Sequence, residues 1–313
     1  MEKVISTKKP SKAMVIAAFA ALYLIWGSTY IAILIAVKDI PPFLMAGARF
    51  FIAGILLYTW CRIKGDTTPG ISSFQKISLS GILMLFFGTT SLIWVEQYIE
   101  SGIAAIIVAT VPLWFVVLDK RQWKFHFSHK LIVVGLLFGF SGVLLLFGGM
   151  GKGEQFSVKE KMQIISILVL VCGGIAWVVG SLYAKYQPTN DSTIMNVSTQ
   201  LLISGVFSAF LSAIARELND FSFSVVTLNG WLALMYLVIM GSLIAYIAYV
   251  WLITVCPPVQ VGTYAYVNPV IAVILGGLFA NEPFSLKQIL ALTIILTGVL
   301  FVNLPKYKEL KTA

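Results

Sequence analysis

Apolar runs of about twenty residues follow one another along nearly the whole chain, and that succession constrains its fold more than any other feature. They occupy positions 13–37, 42–61, 77–95, 102–118, 131–148, 164–183, 194–215, 231–253, 259–280 and 289–304. In hydrocarbon every backbone N–H and C=O must be satisfied by the chain itself, so a continuous apolar run of this length has to be a helix. About twenty residues carry a helix across a bilayer. Charged residues make up 11% of the chain and hydrophobic ones 59%, against about 25% charged in a soluble domain. The expectation is an all-α integral membrane protein of ten transmembrane helices, with no length left for a soluble domain. The first run is too long for the core of a cleaved leader.

Basic residues give this arrangement a direction. Fifteen of the 22 Lys and Arg fall in the N-terminus, the even-numbered connections and the C-terminal tail, six fall in the odd-numbered connections, and Arg49 lies inside a run. Basic connections stay on the cytoplasmic side, which predicts a multi-pass protein of the cell (plasma) membrane with both termini cytoplasmic. The net charge of +9 belongs to these short loops, so the bilayer is the expected partner and nucleic acid is not. Cys61, Cys172 and Cys256 are scattered singly, which gives neither a disulfide framework nor a metal site. His126 and His129 share a basic loop without a third ligand.

The chain also repeats itself. Residues 24–30 (LIWGSTY) are echoed by 176–183 (AWVVGSLY), and 48–54 (ARFFIAG) by 199–205 (TQLLISG). Run 4, with Pro112, lines up with run 9, with Pro269, and 141–147 with 297–303. The offset drifts only between 151 and 157 residues. Five runs per half is an odd number, so the halves, 1–150 and 151–313, enter the membrane from opposite sides. Such a 5+5 inverted-topology repeat is an architecture of secondary transporters.

WGSTY in run 1, ARF in run 2, SGIAAIIVATVPL in run 4, GSxxA in run 8 and YAYVNPVIAVILG in run 9 resemble the drug/metabolite transporter superfamily, and within it the EamA-type ten-span permeases. The resemblance covers nearly the whole chain. It implies a 5+5 repeat, a central cavity and, in much of that branch, export of amino acids or related metabolites.

Run 9 holds the most pointed chemistry. Pro269 lacks an N–H and crowds the carbonyl of Ala265, four residues back. A freed carbonyl in lipid is tolerated only beside protein, water or a ligand. Tyr264 and Asn268, one turn apart, are the expected solute hydrogen-bonders, and Glu282 stands at the far end. Pro112 and Pro269 are the expected helix breaks.

Arg49 is either a cavity cation facing an acidic solute group or a structurally paired arginine, since buried charge in a membrane is costly. Its repeat partner is Gln200. Asn196 and Gln200, at the head of a four-residue stripe continued by Ser204, Ser208 and Ser212, are expected at the cavity, the serines at helix contacts. Trp26, Tyr30 and Trp177 sit toward mid-run and are expected to enclose the apolar part of a solute. Glu96 ends run 3. It reads as a solvated carboxylate at a helix end or as the candidate for proton coupling. Gly135-x-x-x-Gly139 and Gly276-Gly277 fit either a homodimer face or close packing within one bundle.

The sum predicts a transporter of small organic solutes such as amino acids or amphipathic compounds, without cofactor or metal. An uncoupled facilitator, channel or lipid-translocating protein is the alternative. A membrane-embedded enzyme would need a carboxylate pair, for which only Glu96/Glu100 and the loop 151–161 offer candidates.

Overall fold

The computed structural model describes residues 11–147, 158–219, 221–280 and 285–312. Glu282 and most of the loop 151–161 lie outside the described residues. Each apolar run is helical: α1 Lys12–Ala36, α2 Pro42–Ile63, α3 Ile71–Val95, α4 Ser101–Leu118, α5 Lys130–Phe147, α6 Val158–Tyr186, α7 Thr193–Ile214, α8 Leu228–Val255, α9 Pro258–Ala280 and α10 Leu286–Thr312. Among the described residues eight of these are long and apolar enough to cross a membrane by themselves, and nine if α5 is joined to the hook Lys120–Ser128, from which it turns by 104°. The chain is therefore an all-α multi-span membrane protein.

Side chains cap the helix starts where the sequence supplies them. Ser11, Ser192 and Thr227 hydroxyls accept the N–H of Met14, Met195 and Gly230, groups that would otherwise lack a partner. Pro42 and Pro258 stand in first turns, where a missing N–H costs nothing.

The interruptions differ from expectation. In α4 the break falls at Ala109–Thr110 and Pro112 stands in the first turn of the resumed helix. In α9 the break falls at Gly262–Thr263, and Pro269 sits inside a continuous helix from Tyr264 to Ala280. Pro269 is thus not the break itself. It removes one helical bond a turn and a half after the helix has restarted.

Among the described residues three stretches are wound as π-helix: Leu22–Trp26 in α1, Ile82–Thr89 in α3 and Leu237–Ala245 in α8. Such segments carry an extra residue per turn and concentrate at functional sites. The stretches in α3 and α8 start 155 residues apart, within the drift of the sequence repeat.

Small residues set the close contacts between the halves. α2 crosses α7 where Gly54 meets Leu202 and Gly205 meets Phe51. α5 crosses α10 where Gly298 meets Gly135 and Gly139 backbone to backbone. The Gly135/Gly139 motif is therefore occupied within the bundle, whereas Gly277 has nothing within 4 Å of its Cβ position. Of the serine stripe on α7, Ser204, Ser208 and Ser212 are buried, and Ser208 shares a hydrogen bond with Thr90 at 3.1 Å.

Candidate functional site

A cavity of about 80 Å3 lies between the halves. α1 lines it with Trp26, Thr29 and Tyr30, α2 with Arg49, and α3 with Gly88 and Thr89. α6 contributes Gly173, Gly174 and Trp177, α8 Gly241, Ser242 and Tyr246, and α9 Tyr264 and Asn268. All three π-helical stretches reach it, through Trp26, through Gly88 and Thr89, and through Gly241 and Ser242.

One wall is aromatic. Trp26 meets Trp177 edge-on with centroids 5.5 Å apart and Tyr264 edge-on at 4.9 Å. Tyr249 lies behind them, 5.1 Å from Trp26 and 4.9 Å from Trp177. Buried tryptophan and tyrosine need partners for their polar tips. Trp177 Nε1 donates to the Tyr249 hydroxyl at 2.9 Å, and that hydroxyl shares a second bond with Ser181 at 2.6 Å.

Another part of the lining holds the charge. Arg49 is 4% exposed, and its Nε donates to Ser242 Oγ at 2.9 Å. Its Nη2 rests against Gly241, where a Cβ would come within 2.7 Å. Its Nη1 is buried without a hydrogen-bond partner. The guanidinium is thus held by α8 from two adjacent residues with one nitrogen unspent. Glu96 is 2% exposed, so the solvated-carboxylate reading does not hold, and it interacts electrostatically with both Arg49 and Tyr30. It is not among the residues lining the cavity.

Asn268, 1% exposed, spends its amide nitrogen on backbone. Oriented by the acceptors around it, Nδ2 donates to the Tyr264 carbonyl at 3.0 Å and the Tyr23 carbonyl at 3.2 Å. Tyr23 lies in the π-helical stretch of α1, so Asn268 ties α9 to it. The expectation of a hydrogen-bonder for solute is narrowed to the remaining Oδ1.

The structure brings Trp26, Tyr30, Arg49, Trp177, Tyr264 and Asn268 together at the cavity and leaves two expected residues out. Gln200 is buried between Ser80, whose Oγ accepts its Nε2 at 2.8 Å, and Tyr246, whose hydroxyl donates to its Oε1 at 2.8 Å. Asn196 is half-buried near the start of α7, accepting from Thr189 at 3.1 Å. Gln200 faces α3 and α8, where packing partners meet both ends of its amide, while Asn196 is met by the connection that precedes α7. Sequence reasoning missed Tyr246, Tyr249, Thr29 and Ser242. The signal was there: two tyrosines three apart in mid-run, the first of them directly after the GSxxA pattern.

Polar straps join the halves at both rims. On one, Asp39 accepts from the Thr227 N–H and hydroxyl, Glu217 accepts the N–H of Phe43 and Leu44, and Gln288 donates to Glu100 at 2.8 Å. On the other, Ser192 donates to Asp66 at 2.6 Å and the Tyr186 hydroxyl sits 2.9 Å from both carboxylate oxygens of Asp119. His126, buried, has its Nδ1 3.0 Å from the Val116 carbonyl. Among the described residues no three His, Cys, Asp or Glu side chains are grouped to hold a metal ion.

A model of the EamA-like transporter family matches the chain twice, over residues 12–148 and 164–304. The uncharacterized inner membrane transporter YedA of Escherichia coli (strain K12) is 38% identical over 292 residues, 93% of this chain and 90% of that protein. The uncharacterized transporter YvbV of Bacillus subtilis is 26% identical over 94% of this chain and 92% of its own length. A solved crystal structure superposes with a TM-score of 0.65 at 19% identity, covering 95% of this chain and 99% of the other. That likeness is one of fold.

Proposed function

The chain belongs to the EamA-like transporter family, and from that membership we propose that it moves small organic solutes such as amino acids or amphipathic compounds through the central cavity, in ten spans built as two inverted repeats, 1–150 and 151–313. It is a secondary transporter of small molecules working by alternating access. Export is the direction the family favours. Both termini lie in the cytoplasm on the strength of the basic loops.

The observation that carries this reading is reciprocal contact between the halves. The α1–α2 loop meets the α7–α8 loop through Asp39 and Thr227, and the α6–α7 loop meets the α2–α3 loop through Ser192 and Asp66. Exchanging the halves turns one pairing into the other, as an inverted repeat requires. The two family matches and the π-helical stretches in α3 and α8 support the same duplication. A site between such repeats can face either side by rocking one half against the other. In this reading Trp26, Trp177, Tyr30 and Tyr264 enclose the apolar part of the solute, Arg49 and Asn268 Oδ1 meet its polar end, and Glu96 carries a proton.

Gly174 gives the test. It lines the cavity, and a Cβ there touches only Val111, at 3.8 Å. Gly174→Leu therefore fills the cavity without striking backbone, and flux in reconstituted vesicles should fall to background while the protein remains folded. Gly277→Leu, on open surface, should leave flux unchanged. Wild-type flux in Gly174→Leu would remove the cavity from the pathway.

A further inference from the structure

We infer that the hook Lys120–Ser128, together with Lys130 at the start of α5, is a docking surface for an acidic phospholipid, whose phosphate headgroup its cations engage. The hook is remote in role from the cavity, and the inference does not depend on what the cavity carries. The hook belongs to one half only. α4 and α5 are joined by residues 119–129, which contain it, whereas the corresponding helices α9 and α10 are joined by residues 281–285. Duplication of the transport scaffold therefore does not account for it.

The hook is placed and held as a surface element. It joins two helices of the bundle, and α5 turns from it by 104°, which lays it along the membrane surface and not through it. Its inner side is fixed to the end of α4. Trp123 Nε1 donates to the Val117 carbonyl at 2.8 Å, and the buried His126 sets Nδ1 3.0 Å from the Val116 carbonyl. Carbonyls in the last turn of a helix have no partner within it, so these contacts make the hook a continuation of α4. Asp119, 3% exposed, is engaged by the Tyr186 hydroxyl through both carboxylate oxygens.

What remains outward is basic and aromatic. Lys120, Arg121, Lys124 and Lys130 are exposed, and residues 119–130 present no exposed carboxylate. Trp123 and Phe127, one turn apart with ring centroids 5.9 Å from each other, are 41% and 49% exposed. Trp123 has spent its N–H on Val117, so the ring it turns outward is apolar. Lys120 Nζ lies 5.9 Å from the centroid of that ring, which keeps cation and ring on one surface. Aromatic side chains settle at the level of the headgroups, and an amphipathic element with Trp and Phe beside Lys and Arg lies in that plane. Each Lys or Arg near an anionic leaflet adds attraction. A soluble anion would answer the cations and leave the rings in water. A zwitterionic lipid would cover the rings and leave four cations without a net counter-charge. An acidic phospholipid answers both.

The test titrates the purified full chain in neutral detergent with dioctanoyl phosphatidylglycerol, dioctanoyl phosphatidylcholine and inorganic phosphate, read as lipid retained in native mass spectrometry and as melting temperature. Phosphatidylglycerol should bind saturably and raise the melting temperature, phosphatidylcholine should bind more than about tenfold more weakly, and phosphate should do neither. Lys124→Gln should weaken phosphatidylglycerol about fivefold, the effect of one surface charge. Lys64→Gln, which removes an exposed charge from the α2–α3 connection, should leave it unchanged. Lys120→Gln, Lys124→Gln and Lys130→Gln together should erase the preference for the acidic lipid, and Phe127→Ser should weaken both lipids. If the triple variant does not fold, Lys124→Gln beside Lys64→Gln decides the matter. Equal binding of the two lipids would overturn the acidic headgroup, and phosphate binding as tightly as phosphatidylglycerol would assign the surface to a free anion instead. A preference that survives the triple variant, or that Lys64→Gln lowers as much as Lys124→Gln does, would remove the site from the hook.

Discussion

Gly241→Ala is the smallest change that should disable the cavity's charged wall. The added methyl would lie 2.7 Å from Arg49 Nη2, against about 3.4 Å for ordinary contact, so one of them must give way by about 0.7 Å. Thr29 Cγ2 stands 3.3 Å from the same Cβ position, which hinders relief by retreat of α8. The guanidinium is the softer partner, and it must move away from the stretch that also carries Ser242. A shift of that size stretches the 2.9 Å bond from Nε to about 3.6 Å, beyond hydrogen-bonding range. A bond to a charged group contributes about 1.5–3 kcal/mol, so solute affinity should fall roughly ten- to 150-fold. Ser242→Ala removes the same bond from the other side, and the two changes should not add, since both act through one guanidinium. Gly88→Ala, at the corresponding place in α3, brings its methyl to 3.1 Å from the Trp177 ring and should cost less because a ring edge can yield by a few tenths of an ångström. Binding and vesicle flux measured beside thermal unfolding would check the series. A folded Gly241→Ala protein with wild-type affinity would refute the idea that Arg49 is held in place by α8.

Substitutions at two further positions separate scaffold from recognition. Asn268→Ala removes two donors to backbone carbonyls of α9 and α1 and should destabilise by about 2 kcal/mol at about 1 kcal/mol per bond; Asn268→Asp sets a carboxylate against the same carbonyl oxygens and should be worse, read as the order of melting temperatures in detergent. An aspartate variant as stable as wild type would show that the tie from α9 to α1 is not made. Gly298→Ala drives a methyl into the backbone of Gly135 and Gly139 and should cost about 1–3 kcal/mol by overpacking, lowering the melting temperature while the folded fraction binds solute with unchanged affinity.

What the sequence disclosed depended on distance along the chain. Each of α1 to α10 could be placed from local apolar content, because a bilayer leaves one backbone solution, whereas the helical hook Lys120–Ser128, read as a basic loop, could not. Arg49 was conspicuous because charge is rare in such a run, and the aromatic wall could be anticipated from the mid-run positions of Trp26 and Trp177. Partners were not legible. Arg49 and Ser242 are 193 residues apart, Gln200 and Ser80 120, and Trp177 and Tyr249 72, so which polar group is spent in packing and which is left over depends on helix contacts that no local pattern encodes. The π-helical stretches escaped for a related reason. Their sequences, such as LVIMGSLIA, are as apolar as their neighbours, so hydropathy gives no sign of the winding.

The fate of one duplicated position shows how a nearly symmetric scaffold acquires an asymmetric site. Arg49 on α2 and Gln200 on α7 occupy matching places in the two halves, and each reaches across to the other half: Arg49 to Ser242 on α8, Gln200 to Ser80 on α3. Exchanging the halves maps one helix pairing onto the other. Gln200 carries no charge, and it accepts from Tyr246 while donating to Ser80, so both ends of its amide are engaged within the protein. Arg49 offers five donor hydrogens to a wall that engages Nε and leaves Nη1 unanswered. Duplication therefore supplied two crossings of the same interface. One has become a closed structural contact, and the other keeps a fixed cation with unused hydrogen-bonding capacity lining the cavity, seated by the glycine and serine of α8.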